Sequence, residues 1–191
     1  MLVKTTTAIN EILSTYFSPL VVQFLKQSGT KSKVIGKGGY TAASPQLRRL
    51  GIDVDGWPVP PAGLFVVDER TVYLREIDVM TVVHEHGHAI DCALGGGAYR
   101  SGYDPRIRSA FAGARTFVTP YAACGLDEYF AECIRAIVGA NTPRSPWPTV
   151  SAERFRSIDP HGFEVISAML AEAEDAATFE AGEQIALRLV D

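Results

Sequence analysis

Five consecutive residues, His84-Glu85-His86-Gly87-His88, carry the strongest chemical signal in the sequence. They form the pattern HExxH. On a helix, positions i and i+4 project from nearly the same face, about 40° apart around the axis. His84 and His88 can therefore chelate one metal ion, and Glu85 lies beside it, where it can touch a bound water. With these residue frequencies, chance gives HExxH in about one such chain in two hundred. The alternative is two ordinary histidines, one of them satisfied in the core. The apolar flanks Val82-Val83 and Ala89-Ile90 favour the metal-binding helix instead. His86 projects away from the metal face and reads as a packing or surface residue. His161, at the start of a late helix, reads as surface.

A catalytic zinc usually has three protein ligands and one open position. His161 lies in a different pattern, so a downstream carboxylate is the better third ligand. The segment Asp127-Glu128-Tyr129-Phe130-Ala131-Glu132 offers Glu128 and Glu132, again at i, i+4. Glu128 suits the ligand position. Glu132 suits a place behind it, because a ligating histidine commonly donates its other ring N–H to a carboxylate. The competing reading of this pair is a solvated helix face. Asp127 reads as a helix cap rather than a ligand.

These residues need elements to position them. Asp78 can cap a helix that runs to about Ala93 and is stopped by Gly95-Gly96-Gly97. Before it, Leu64–Val67 and Thr71–Leu74 flank a turn at 68–70 and predict a hairpin. One of these two strands could offer a free edge to an extended peptide. The spacing of Ile9, Ile12, Leu13, Tyr16, Phe17, Leu20, Val21 and Phe24 predicts an amphipathic helix over 7–26, which Pro19 should kink or divide. Residues 29–63 read as mostly loop, with a short apolar piece at 33–36 and a short helix near 44–50. Further helices are expected over 104–114, from Asp127 to Val138, and from Asp159-Pro160 to about Glu174. Residues 141–148 read as a proline-rich loop, and the last dozen residues are ambiguous. The sum is an α+β chain, mostly helical, with a small mixed sheet or hairpin beside the HExxH helix. We read 1–191 as one domain in three stretches: 1–60 helix and loops, 61–100 hairpin and HExxH helix, 101–191 helical with the glutamate ligand.

Composition bounds the function classes. The chain has 191 residues, 47% hydrophobic and 21% charged, which argues against a wholly disordered polymer. A domain of this length needs no metal or disulfide merely to fold, so a metal here implies catalysis. The net charge of −4 argues against a nucleic-acid binder with a broad basic surface. No apolar run reaches the length of a membrane span. No signal peptide is visible at the N-terminus, so the chain is read as cytoplasmic, or as secreted with its leader missing. Cys92, Cys124 and Cys133, an odd count without CxxC, read as reduced packing thiols. Asp91 could orient a ligand or order a nearby loop.

The combination resembles the lethal factor-like zinc metallopeptidases, a group that includes the proline–proline endopeptidases. The shared pattern is HExxH, then a tyrosine seven residues before the ligand glutamate and a second glutamate four residues after it. Here Tyr121 precedes Glu128 by seven, and Glu132 follows it by four. The likeness covers roughly residues 60–175; the first 60 carry no matching motif. It implies a zincin-like fold and one catalytic Zn2+ on His84, His88 and Glu128, with Glu132 behind them. It implies Glu85 as general base and acid, and Tyr121 as donor to the oxyanion. The implied activity is endopeptidase cleavage of a peptide or protein substrate. Alternatives are a peptidase dedicated to one protein partner and an inactive peptidase-like binding module. Specificity is expected from loops 95–118 and 141–148.

Overall fold

The computed structural model describes residues 2–142 and 150–188, with side chains over 6–142 and 150–179. The elements in order are α1 (Leu2–Tyr16), α2 (Pro19–Gln27), β1 (Lys31–Val34), α3 (Tyr40–Ala43), α4 (Pro45–Leu50), β2 (Gly63–Val66), β3 (Thr71–Leu74), α5 (Val79–Leu94), α6 (Pro105–Gly113), α7 (Leu126–Val138), α8 (Ala152–Ile158) and α9 (Pro160–Arg188). Short 3-10 turns lie at Val67–Glu69, Arg100–Gly102 and Tyr121–Ala123. The chain is thus α+β and mostly helical, as the sequence predicts.

Pro19 divides the first amphipathic stretch. Ser18 caps the second half, its Oγ accepting from the Val21 amide at 3.2 Å, and Pro19 takes the first helical position, where no N–H is needed. The hairpin forms as expected, except that Val67 belongs to the 3-10 turn rather than the strand. Arg70 closes that turn with φ 48°.

The sheet decides one expectation and corrects another. Its order is β1-β3-β2, with β1 parallel and β2 antiparallel to β3. Residues 71–74 are therefore the central strand and have no free edge; β2 is an edge. The stretch read as loop with an apolar piece at 33–36 contains β1, two residues earlier. Its Lys-Ser-Lys-Val sequence lacks an apolar face, and its partner β3 supplies the order. Successive strand residues face opposite sides. Phe65, Val72 and Leu74 enter the main core, while Val66 and Tyr73 join Tyr40, Leu47 and Val54 in a smaller one.

The main core joins α1, α2, α5, α7 and α9. Asp78 caps α5 as expected, its Oδ1 accepting from the Met80 and Thr81 amides at 3.0 and 3.2 Å. Asp127 does not cap α7: Gly125 holds that position and Asp127 lies in the first turn. The late helix α9 continues past Glu174 to Arg188, and α8 precedes it unforeseen. The proline-rich loop lies largely outside the described residues. No helix among the described residues is long and apolar enough to cross a membrane.

Candidate metal centre

Helix α5 places His84, Glu85 and His88 on the floor of a cleft of about 670 Å³, and all three are buried. Helix α7 crosses it and delivers Glu128. The approach depends on Gly87: a Cβ there would meet Ala131 of α7 at 3.0 Å from its Cα and 3.3 Å from its Cβ. Any larger residue would hold the helices apart. The glycine inside the motif is therefore a packing requirement of the site.

Three donor atoms converge. His84 Nε2 lies 3.1 Å from His88 Nε2 and 3.1 Å from Glu128 Oε2, and His88 Nε2 lies 3.5 Å from the same oxygen. An ion about 2.0–2.1 Å from each of three tetrahedral donors would hold them roughly 3.3–3.4 Å apart. Glu128 Oε2 is buried and has no directed hydrogen bond. Two imidazole lone pairs and a carboxylate oxygen this close repel one another, and either a proton or a metal cation among them relieves it. The site's own charges show that demand. Burial alone would lower the His84 pKa, but Glu128 and Glu132 overcome it and push it up to about 10. Burial would raise Glu128; His84 and His88 instead hold it well below the usual carboxylate range. The donor set fits a divalent cation, and two imidazoles with one carboxylate suit zinc.

Behind the histidines, Glu132 accepts from His84 Nδ1 at 2.9 Å. That bond leaves Nε2 as the free lone pair. Glu132 also receives Arg135, whose Nε reaches Oε1 at 3.0 Å and whose guanidinium reaches Oε2 at 2.7 Å. Thr119 Oγ1 donates to Oε2 at 2.7 Å. Despite burial, His84 and Arg135 hold the Glu132 carboxyl down at about 2.

Glu85 packs under the edge strand. Burial pushes its carboxyl up, and the Phe65 backbone N–H donates to it. A Cβ on Gly63 would strike Glu85 Cγ at 2.6 Å. Tyr121 is 47% exposed, with its ring 5.7 Å from that of His84 and its hydroxyl donating to Glu128 Oε1 at 2.9 Å.

The remaining expectations resolve individually. His86 points to the far side of α5, where Val82 O accepts at 2.7 Å and Ser32 of β1 bonds its Nε2 at 2.9 Å. It is buried packing. His161 is exposed. Asp91 orders a loop, accepting from the Ser101 amide at 2.8 Å and hydroxyl at 2.6 Å. Cys92 and Cys133 are buried thiols, whereas Cys124 is exposed, contrary to the packing expected for it. Sequence reasoning missed Thr119, Arg135 and Tyr99. Tyr99 lies in the 95–118 loop with its ring 5.6 Å from that of His88. Arg135 signals itself only weakly, as a charge on the apolar side of an amphipathic helix.

No protein-family model matches the chain, and no curated protein matches it significantly. Among solved structures, the Pro-Pro endopeptidase PPEP-2 from Paenibacillus alvei is similar. The TM-score is 0.57 at 17% identity, over 86% of this chain and 90% of that one. The likeness is one of fold: the chain is α+β and is folded like PPEP-2.

Proposed function

We propose that the chain is a zinc-dependent endopeptidase, as a single catalytic domain, with His84, His88 and Glu128 as metal ligands. The observation that carries this is the triangle of donor atoms beside Glu85, on a cleft walled by the edge strand β2. Bound zinc would supply Lewis acidity, polarising a substrate carbonyl and lowering the pKa of a water toward about 7.

The protein's own groups do the rest. Glu85 takes the proton of the attacking water at its carboxylate and returns it to the leaving amine. Its burial supports this role by raising its basicity. Tyr121 donates its phenol O–H to the carbonyl oxygen as negative charge develops there, moving from its resting bond to Glu128. Glu132 fixes the tautomer of His84. Along β2, Leu64 pairs with Tyr73 and Ala62 accepts from the Arg75 amide. Alternation then turns the backbone of Gly63 and Phe65 toward the cleft; Glu85 takes the Phe65 N–H, so an extended peptide would add as a further strand through the Gly63 groups and the Phe65 carbonyl.

The test is digestion of a peptide library by the zinc-loaded chain, with and without chelator. Peptides with consecutive prolines belong in it, given the activity named for PPEP-2. Chelator-sensitive cleavage within peptides is expected. A zinc-loaded chain that cleaves no member would refute the reading.

A further inference from the structure

Tyr121 is the exposed member of the site. Its ring lies beside the His84 ring and its hydroxyl reaches the Glu128 carboxylate. The turn beneath anchors its backbone. Ala122 is fully buried and Thr119 is 2% exposed. The Thr119 hydroxyl uses both of its capacities there: Oγ1 accepts from the Ala122 amide at 3.1 Å and donates to Glu132 Oε2 at 2.7 Å.

Glu132 is saturated by the same arrangement. Each of its oxygens accepts two donors: His84 Nδ1 and Arg135 Nε on Oε1, and Thr119 Oγ1 and the Arg135 guanidinium on Oε2. A carboxylate has about four lone-pair sites, and all are filled. One rigid group therefore orients a metal-ligating histidine and, through Thr119, anchors the backbone next to Tyr121.

We propose that Thr119 is a positioning residue, locking the turn that carries Tyr121 to the carboxylate that orients His84. The proposal rests on the peptidase reading above. Removing the hydroxyl leaves the buried Ala122 N–H unpaired and frees the turn from Glu132. Arg135 and His84 still hold Glu132, so the metal ligands stay in place.

The experiment compares T119V, T119A and T119S in the full zinc-loaded chain, each alone and with Tyr121→Phe. T119V and T119A are made in parallel, so a folding failure of one leaves the other. The readouts are kcat and KM on a cleaved peptide, zinc affinity by chelator competition, and amide exchange at Ala122. T119V should lower kcat roughly tenfold or more, a fraction of the 10²–10³ that an oxyanion donor supplies. KM and zinc affinity should change less than about threefold, well under the 10–100-fold loss when a partner of a metal ligand is removed. Ala122 exchange should accelerate about tenfold or more as its bond is lost. T119S should restore both. In the Tyr121→Phe background the kcat cost of T119V should fall below about twofold, because coupled residues are not additive.

An equal cost in both backgrounds overturns the proposal, since a purely structural cap would behave that way. So does a loss of zinc affinity in step with kcat, or unchanged exchange at Ala122. If the wild-type zinc-loaded chain cleaves nothing, the peptidase reading fails by itself. The exchange and zinc measurements still decide whether Thr119 anchors the turn.

Discussion

Two residues beside the donor triangle divide the chemistry. Glu85 is buried on the cleft floor beneath β2, with Gly63 leaving room for it. It is not among the three converging donors. Glu85→Ala should therefore abolish turnover while leaving about one zinc bound per chain, measured by metal analysis of the dialysed variant. Normal peptide cleavage by that variant would remove Glu85 from the mechanism. Tyr121 is the exposed member and meets the metal site through the His84 ring and Glu128 Oε1. Tyr121→Phe removes one hydroxyl and no ligand. We expect kcat to fall on the order of 10²–10³ with zinc retained. An unchanged kcat would assign Tyr121 to packing alone.

Element packing decides whether these residues meet, and much of the site is set where α5 crosses α7. Gly87→Ala places a methyl against Ala131 and should drive the helices apart. Overpacking of this kind costs about 1–3 kcal/mol. Because Glu128 rides on α7, zinc affinity should fall tenfold or more, by analogy with losses at groups that orient metal ligands. Chelator competition measures it, and an unchanged affinity would show that the close approach does not set the site. The contrast marks what is legible in the sequence. His84 and His88 are readable because their relation is local: four residues on one helix. Glu128 and Glu132 are readable through the same spacing. The reason for Gly87 is not, because it lies in a contact with Ala131, far along the chain. The cap of α7 is hidden in the sequence for a similar reason. Asp127 has the right chemistry, but the chain enters the helix at Gly125. Strand β1 has no apolar alternation of its own, so only its pairing with β3 identifies it.

Across the whole molecule, the donor triangle joins two central helices of the main core, and a bound ion would act as a cross-link between them. Zinc should raise the melting temperature and chelator should lower it, with stabilisation of about 2.7 kcal/mol at a hundredfold excess over Kd. Glu128→Gln should shrink the zinc-dependent shift; an identical shift would place the ion elsewhere. A second tie holds the outer shell and responds to pH. Asp104 caps α6 and pairs with Arg100 and Arg106, and both arginines reach Glu172 of α9. Hydrogen bonds from Arg106, its strongest influence, hold the Asp104 carboxyl well below the usual range. Its contribution to stability is thus fully present above the unfolded pKa of about 3.9 and is lost as pH falls further toward the folded value. Asp104→Asn keeps a capping oxygen but has no charge to lose. The wild type should therefore exceed this variant in urea midpoint at pH 7, and the gap should narrow as pH drops below about 4. A gap of constant size between about pH 7 and pH 3 would mean that the Arg100–Asp104–Arg106–Glu172 cluster contributes through shape rather than charge.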